Sequence, residues 1–317
     1  MNRLGVVVVA HNSEREIGGC LESLRPFGGE IVVVDNASAD GTVECVRREA
    51  GVRLIANPWN RGFAAAANQG IGALAAPYVL LLNPDVRILD SPAPLVEACS
   101  HPDVAAAGGK LLDESGRPQK GFMIRRLPAP AALAFEALGI NRCWPRNPVN
   151  RAYRCLDLPD ETSDVEQPPG AFLLIKREVW QKLGGFDETF RPVWFEDVDF
   201  CNRIKQIGYR ILYLPRVRAS HKGGHSVGQL GWEIREAYWY GNLLTYAAKH
   251  YQGPAVCAVC GAVVLGSALR ALTGVLRFGS LKPIAVYDRV VRLALRACLA
   301  RITHPAGRPS YGAIGQC

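Results

Sequence analysis

The sequence predicts an α/β fold: a mostly parallel central sheet flanked by helices, with a helical C-terminal extension. Three observations predict it. Short runs that are apolar at every position recur through the first hundred residues, segments of helical period separate them, and the composition shifts sharply after Gly253. Uninterrupted apolar runs read as strands buried on both faces, and strands alternating with helices read as parallel crossover units.

The elements follow in order. LGVVVVA is a first strand and 13–25 a helix; EIVVVD is a second strand, followed by a helix at 40–50; VRLIA is a third, followed by 61–74. YVLLL, a helix at 91–99 and VAAAG continue the pattern. Residues 112–168 are rich in Pro, Arg and Asn, show no clear period, and read as an irregular excursion. Order returns with PGAFLLIKREVWQKLGGFDETF, a strand, a helix and a Gly-Gly break. WFEDVDFCNRIKQIGY is then a helix, RILYLP a strand, RASHKGGHS a loop, and 231–251 an aromatic-rich helix.

A chain of 317 residues with 49% hydrophobic content can bury a sizeable core. Its formal charge of +8 is uneven: from Pro254 onward eight Lys and Arg face the single acid Asp288. That leaves a near-neutral body, expected as residues 1–252, and a basic tail, 253–317, that would touch an anionic surface, either a membrane or RNA. The run from Gly253 to Leu269 carries no charge, but Arg270 ends it short of the roughly 20 residues of a spanning helix. Beyond it Arg289, Arg292 and Arg296 recur at helical spacing among Val290, Val291, Leu293 and Leu295. This fits a basic amphipathic helix on anionic lipid. A helical hairpin packed on the rest of the chain accounts for the same pattern equally well.

Ten cysteines are scattered, and Cys257 and Cys260 form the one CxxC, inside an apolar run. Neither a zinc ribbon nor a disulfide framework follows. The N-terminal apolar stretch is too short for a signal peptide and ends in His11-Asn12, so it reads as a strand in a reduced, cytosolic compartment.

Ligands of open parallel sheets bind beyond the carboxyl ends of the strands. Those ends carry Ala10-His11-Asn12, Asp35-Asn36, Asn57 and Asn83-Pro84-Asp85. No G-x-G-x-x-G or P-loop follows the first strand, where AHNSEREIGG stands, so hydride transfer loses its phosphate cradle. The same stretch lacks the glycine-rich basic loop of a nucleotidyltransferase. Asp35 can accept hydrogen bonds from a nucleobase or ribose, and a turn role explains it as well. For Ser38 and Asp40 helix capping is the better reading. Asn60-Arg61-Gly62 precedes an alanine-rich helix whose N-terminus would attract a diphosphate, although Asn60 as an N-cap is the simpler account.

Asp85 is a stronger signal: Pro84 removes a backbone donor and fixes the turn, and a hard divalent cation bridging nucleotide phosphates wants such an oxygen. A turn aspartate bonding its own backbone is the competing account. Trp194-Phe195-Glu196-Asp197-Val198-Asp199 sets three carboxylates at a helix start behind two aromatics. Asp199 with Arg203 is an ordinary i, i+4 pair. The aromatics suggest a partly desolvated wall in which a carboxylate becomes a working general base. His221 follows RILYLP at a point suited to a further metal ligand, although most single histidines are not ligands; His225 reads as surface.

Taken together, VVVVAHNS, VVVDNASADGT, NRGFAAAANQGI, LLLNPD, GAFLLIKREVWQKLGGFDETF, WFEDVD and HKGGHS resemble the family 2 glycosyltransferases of GT-A fold. The branch they look most like contains rhamnosyltransferases and related cell-surface polysaccharide enzymes. The resemblance covers about residues 4–250, in the family's motif order. It implies an inverting, metal-dependent transfer of a sugar from a nucleotide diphosphate, dTDP-rhamnose by the branch, to a hydroxyl of a glycan or polyprenyl-diphosphate-linked acceptor. By motif, Asp35 would contact base or ribose, Asn60, Arg61 and Gly62 would lie by the nucleotide, and Asp85 would hold Mg2+ or Mn2+ with His221. Asp197 would take the acceptor proton, and Glu196, Trp194 and Gly170 would shape the acceptor side. The family's Asp-x-Asp stands here as Asn83-Pro84-Asp85, which removes one carboxylate and leaves Asn83 to bind ribose or a metal-bound water. The expected setting is cytoplasmic, peripheral on the inner face of the plasma membrane, with no nucleic-acid partner. A non-catalytic sugar-nucleotide binder or membrane scaffold is the alternative class.

Overall fold

The computed structural model describes residues 3–157, 160–224, 228 and 230–303. Strands β1 (Leu4–Ala10), β2 (Glu30–Asp35), β3 (Val52–Ala56) and β4 (Tyr78–Leu82) stand in the order β3-β2-β1-β4, all parallel. Helices α1 (Glu14–Leu24), α2 (Thr42–Arg47) and α3 (Phe63–Ala73) connect them. The apolar runs are buried as their composition requires: Val6–Ala10, Ile31–Val34 and Val79–Leu82 lie in one core. β3, at the sheet edge, is only half covered.

Beyond β4 come β5 (Val86–Ile88), α4 (Ala93–Ser100) and β6 (Val104–Leu112), and later β7 (Ser163–Val165), β8 (Phe172–Lys176), α8 (Arg177–Lys182), α9 (Glu196–Gln206) and β9 (Arg210–His221). The sheet continues β4-β8-β6-β9-β5, with β7 also on β9. Here the pairing becomes mixed, because β8 runs antiparallel to both β4 and β6. The chain reaches β8 from the edge where β6 ended, so it enters without the crossover that a parallel strand needs.

Two local readings are corrected. RASH is not loop: β9 extends through His221, because after a register shift opposite Gly109/Lys110 its second half pairs with the end of β6 and with β5. The stretch 112–168 is not wholly irregular either. It holds α5 (Pro130–Leu138), α6 (Ile140–Cys143), α7 (Pro148–Tyr153) and β7, each too short to display a period.

The chain forms two compact units: Met1–Leu127, Arg154–Glu188 and Glu196–Gln229 make the first, which contains the whole sheet, and Pro128–Tyr153, Thr189–Phe195 and Leu230–Cys317 the second. The second unit is helical, with α10 (Trp232–His250), α11 (Gly253–Phe278) and α12 (Lys282–Thr303) packed on one another and α5 packed on α11. Arg270 does not interrupt α11. Its guanidinium donates to Ala137 O and, at 3.2 Å, to Glu136 O, carbonyls in the last turn of α5, where a cation is favoured. The charge is therefore directed inward while Leu265, Leu269, Leu272 and Leu276 form an exposed stripe that runs past it. The helix has 26 residues and a mean hydropathy of 2.0 in its most apolar window, long and apolar enough to cross a membrane, with 39% of that window buried against the protein. On α12, Val290, Ala294 and Ala297 face inward and Arg289, Arg292 and Arg296 outward.

Candidate active site

One end of the candidate site is built at the carboxyl ends of β1 and β2. Asp35 is buried, and its carboxylate accepts from Ser38 N at 3.0 Å and Ser38 Oγ at 2.5 Å. Ser38 Oγ in turn accepts from Asn12 N at 2.8 Å, so the serine braces the two strand ends instead of capping a helix. Asp40 accepts from Thr42 N and Glu14 N, both at 3.1 Å, the first N–H groups of α2 and α1, while the N-cap positions belong to Gly41 and Ser13. Asn36 gathers the next loop: its amide donates to Asn60 Oδ1 at 2.8 Å, and its oxygen accepts from Arg61 N at 3.0 Å. Asn60 Oδ1 also accepts from Gly62 N at 2.9 Å. Gly62, with φ 85° and ψ 157°, precedes α3 in a conformation open essentially only to glycine. The N-cap position of α3 thus belongs to Gly62, and Asn60 holds the loop that leads to it.

At the end of β4 a turn closes over Pro84, with Val86 N donating to Asn83 O at 3.2 Å. The Asn83 side chain is partly exposed and makes no hydrogen bond among the described residues. Asp85 is buried, and its Oδ2 accepts from Gly223 N at 3.1 Å. The pairing of Val86 with His221 carries the imidazole alongside, leaving Nε2 3.6 Å from Asp85 Oδ2. Gln119 fixes this ring from behind: Nδ1 donates to Gln119 Oε1 at 2.8 Å, and Gln119 Nε2 donates to His221 O at 2.8 Å. Phe122 stacks on the other side, with centroids 5.0 Å apart. Burial pushes the His221 pKa below the ordinary histidine value, against the pull of the Asp85 charge. The neutral ring then presents the Nε2 lone pair beside the Asp85 carboxylate.

This donor set fits a hard divalent cation that brings part of its own coordination shell. Among the described residues no group of three His, Cys, Asp or Glu converges, so this is not an all-protein cage. One carboxylate, one imidazole and substrate phosphates satisfy a Mg2+-like ion. A cavity of about 420 Å3 adjoins the pair, lined also by the cationic Arg15, Arg87 and Lys222 and by Glu16.

The Asp197 carboxylate, on α9, is held from the loop before the neighbouring strand β8. Asn83 N donates to Ala171 O at 3.1 Å, and the preceding residue, Gly170, donates its N–H to Asp197 Oδ2 at 2.9 Å. Gln167 Nε2 donates to the same oxygen at 3.2 Å, and Val198 N to Oδ1 at 2.8 Å. A Cβ on Gly170 would stand 3.3 Å from Asp197 Cβ and 3.7 Å from the Phe63 ring, so the glycine lets Asp197, its own loop and the start of α3 approach closely. Burial pushes the Asp197 pKa above the ordinary aspartate value, against the hydrogen bonds from Gly170 and Val198 and the charge of Arg125. Asp199 has a different task. Fully buried, it binds Arg203 Nε at 2.7 Å, and Arg203 reaches Leu183 O and Gly185 O at 2.9 and 2.8 Å, which ties α9 to the Gly-Gly break.

Asp35, the Asn60–Gly62 loop, Asn83, Asp85, Gly170, Asp197 and His221 therefore share the first unit and one region of its sheet edge. Glu196 is buried. Trp194 belongs to the second unit, where its ring meets Trp239 edge-on at 5.6 Å; it and Phe195 both have positive φ, 81° and 71°. Such strain in bulky residues gathers at functional sites. His225 lies outside the described residues. Gln119, Phe122, Arg125 and Gln167 were missed from sequence, because all come from the stretch without a period and reach the site only by tertiary pairing.

The family model for glycosyl transferase family 2 matches residues 5–152. An N-acetylglucosaminyl-diphospho-decaprenol L-rhamnosyltransferase of Mycobacterium tuberculosis (strain ATCC 25618 / H37Rv) is 30% identical over 248 residues, 71% of this chain and 78% of that protein. The rhamnosyltransferase WbbL of Escherichia coli (strain K12) is 23% identical over 230 residues, 69% of this chain and 83% of WbbL. A mannosyltransferase from Pyrobaculum calidifontis, solved with GDP-Man and Mn2+, has a TM-score of 0.53 at 20% identity, covering 96% of this chain and 88% of that one. GalNAc-T7, solved with UDP, GalNAc and Mn2+, has a TM-score of 0.59 at 16% identity, covering 96% of this chain and 58% of that one. At these identities the two structures speak to the fold alone, and it is the GT-A fold. The sequence likeness spans both ends of the site, from the first strand to beyond Asp197. This chain thus belongs to glycosyl transferase family 2, as a rhamnosyltransferase-like member.

Proposed function

We propose that this glycosyltransferase moves a sugar, rhamnose by its relatives, from a nucleotide diphosphate to a hydroxyl of a lipid-diphosphate-linked glycan, with inversion, in cell-surface polysaccharide synthesis. The observation that carries the proposal is the hydrogen-bonded path Asn83–Ala171–Gly170–Asp197, which sets the base one strand from the Asp85–His221 pair. In this reading Asp35 and the Asn60–Gly62 loop orient base and ribose, and Asn83 offers its amide to ribose. Asp85 and His221 would hold Mg2+ or Mn2+, which when bound supplies positive charge against the diphosphate that departs. Asp197 accepts the acceptor hydroxyl's proton as that oxygen attacks the anomeric carbon opposite the diphosphate. A single in-line displacement inverts the configuration. Glu196 and Gly170 shape the acceptor side.

The test is a panel of nucleotide sugars offered with a short-chain diphosphate-linked N-acetylglucosamine, with and without divalent metal, reading product configuration by NMR. Transfer with inversion is expected; retention, or no transfer from any donor, overturns the proposal. Gln119→Leu should weaken Mn2+ binding about 10- to 100-fold by freeing the His221 ring. Calorimetry reads this, and an unchanged affinity would show that the ring needs no anchor.

The membrane setting belongs to the same proposal: the enzyme sits on the cytoplasmic face of the plasma membrane, with Arg289, Arg292 and Arg296 on anionic lipid and the leucine stripe of α11 toward the acyl region. Each such charge contributes about 1 kcal/mol, so reversing all three to Glu should lower partition to phosphatidylserine vesicles by roughly 100-fold or more. Equal partition of variant and parent in vesicle sedimentation would remove this part of the proposal.

A further inference from the structure

Arg125 stands beside the base with much of its hydrogen-bonding capacity unspent. Its Nε donates to Gly121 O at 2.8 Å and its guanidinium lies 5.7 Å from the Phe122 ring centroid, so the group is anchored at one edge and supported on one face. Its backbone bonds Gln167 in both directions, at 2.9 and 3.1 Å, and Gln167 holds Asp197. Its charge is felt by the Asp197 carboxylate. Yet Nη1 and Nη2 donate to no group among the described residues, and the side chain is only partly exposed. A positioned guanidinium fork with free donors matches two oxygens of a phosphate or carboxylate.

The donor diphosphate is badly placed to be that anion. It belongs at Asp85 and His221, whereas Arg125 lies over the Phe122 ring at 5.7 Å and is paired through its backbone with Gln167, which holds Asp197. The substrate that approaches Asp197 is the acceptor. We propose that Arg125 binds the phosphate next to the acceptor sugar, so that the enzyme selects diphosphate-linked acceptors over neutral glycosides. This rests on the sugar-transfer reading above and adds the acceptor's charge to it.

The experiment compares two acceptors of equal chain length, an alkyl-diphosphate-linked N-acetylglucosamine and the neutral alkyl glycoside of the same sugar, in parent, Arg125→Gln and Arg125→Lys. Arg125→Gln is expected to lose about 10- to 100-fold in kcat/KM on the diphosphate acceptor, mainly through KM, and less than about 3-fold on the neutral one. Arg125→Lys, which keeps the charge without the fork, should fall between. A sugar-free alkyl diphosphate should compete with the acceptor in the parent and lose potency in Arg125→Gln. Equal losses on both acceptors, or a fall in kcat with a moved acid limb, would show that Arg125 serves Asp197 or the fold instead, and would overturn the inference while leaving the transferase reading intact. A parent enzyme that glycosylates neither acceptor would overturn both.

Discussion

Asp197→Asn is expected to lower kcat by about 10²- to 10⁴-fold while leaving nucleotide-sugar affinity within a factor of about two. The amide keeps an oxygen for the N–H of Gly170 but cannot take a proton from an attacking hydroxyl, so binding and turnover separate in this variant. Donor affinity from calorimetry set beside single-turnover rates reads the separation. A variant that retains the parent's rate would exclude Asp197 as base. The parent's pH profile carries an independent mark. Because burial holds the Asp197 pKa above the ordinary aspartate value, the carboxylate takes up its proton at a higher pH than a solvated aspartate would. Only the ionised form accepts a proton, so activity falls as pH drops through that raised value. The acid limb of kcat/KM should therefore lie above the usual aspartate range and vanish from the residual rate of Asp197→Asn.

The second large effect is expected at Asp85. Asp85→Ala removes the one carboxylate of the proposed metal pair and leaves His221 alone to hold the ion. A loss of about 10²- to 10³-fold in kcat/KM for the donor follows from removing several kcal/mol of charge stabilisation at the diphosphate. Exhaustive chelation should bring the parent to the same level and leave Asp85→Ala nearly unchanged. A parent that keeps full activity after chelation would remove the cation from the mechanism. In that case Lys222, Arg15 and Arg87 around the adjoining cavity are the groups left to meet the diphosphate charge.

What could be read from the sequence and what could not divide along physical lines. The runs VVVV, IVVVD and YVLLL betray buried strands because every position is apolar, and Pro84 marks Asp85 because it fixes the turn at a strand end. Asp197 draws attention for a similar reason, since its neighbours Trp194 and Phe195 have little reason to precede a solvated helix start. Gln119 and Gln167 carry no such local sign. An amide in a stretch without a period gains a role only when the fold brings His221 or Asp197 to it. The length of β9 was misread because RASHKGGHS ends in turn formers, while pairing with β5 and β6 holds its first four residues extended. Arg270 was misread because a charge in an apolar run looks like an end, unless the carbonyls that neutralise it come from another helix.

The contact between β4 and β8 also bears on how this catalyst could acquire new acceptors. In the proposed reading its two halves, the Asp85 turn and the Gly170 loop whose N–H bonds Asp197, leave the same end of one antiparallel ladder whose neighbouring chains sit about 4.8 Å apart, and a ladder does not stretch. A bulkier incoming alcohol therefore cannot be accommodated by prising the halves apart. Diversification of specificity would then proceed through side chains such as Phe122 and Arg125, while the frame beneath them stays constant.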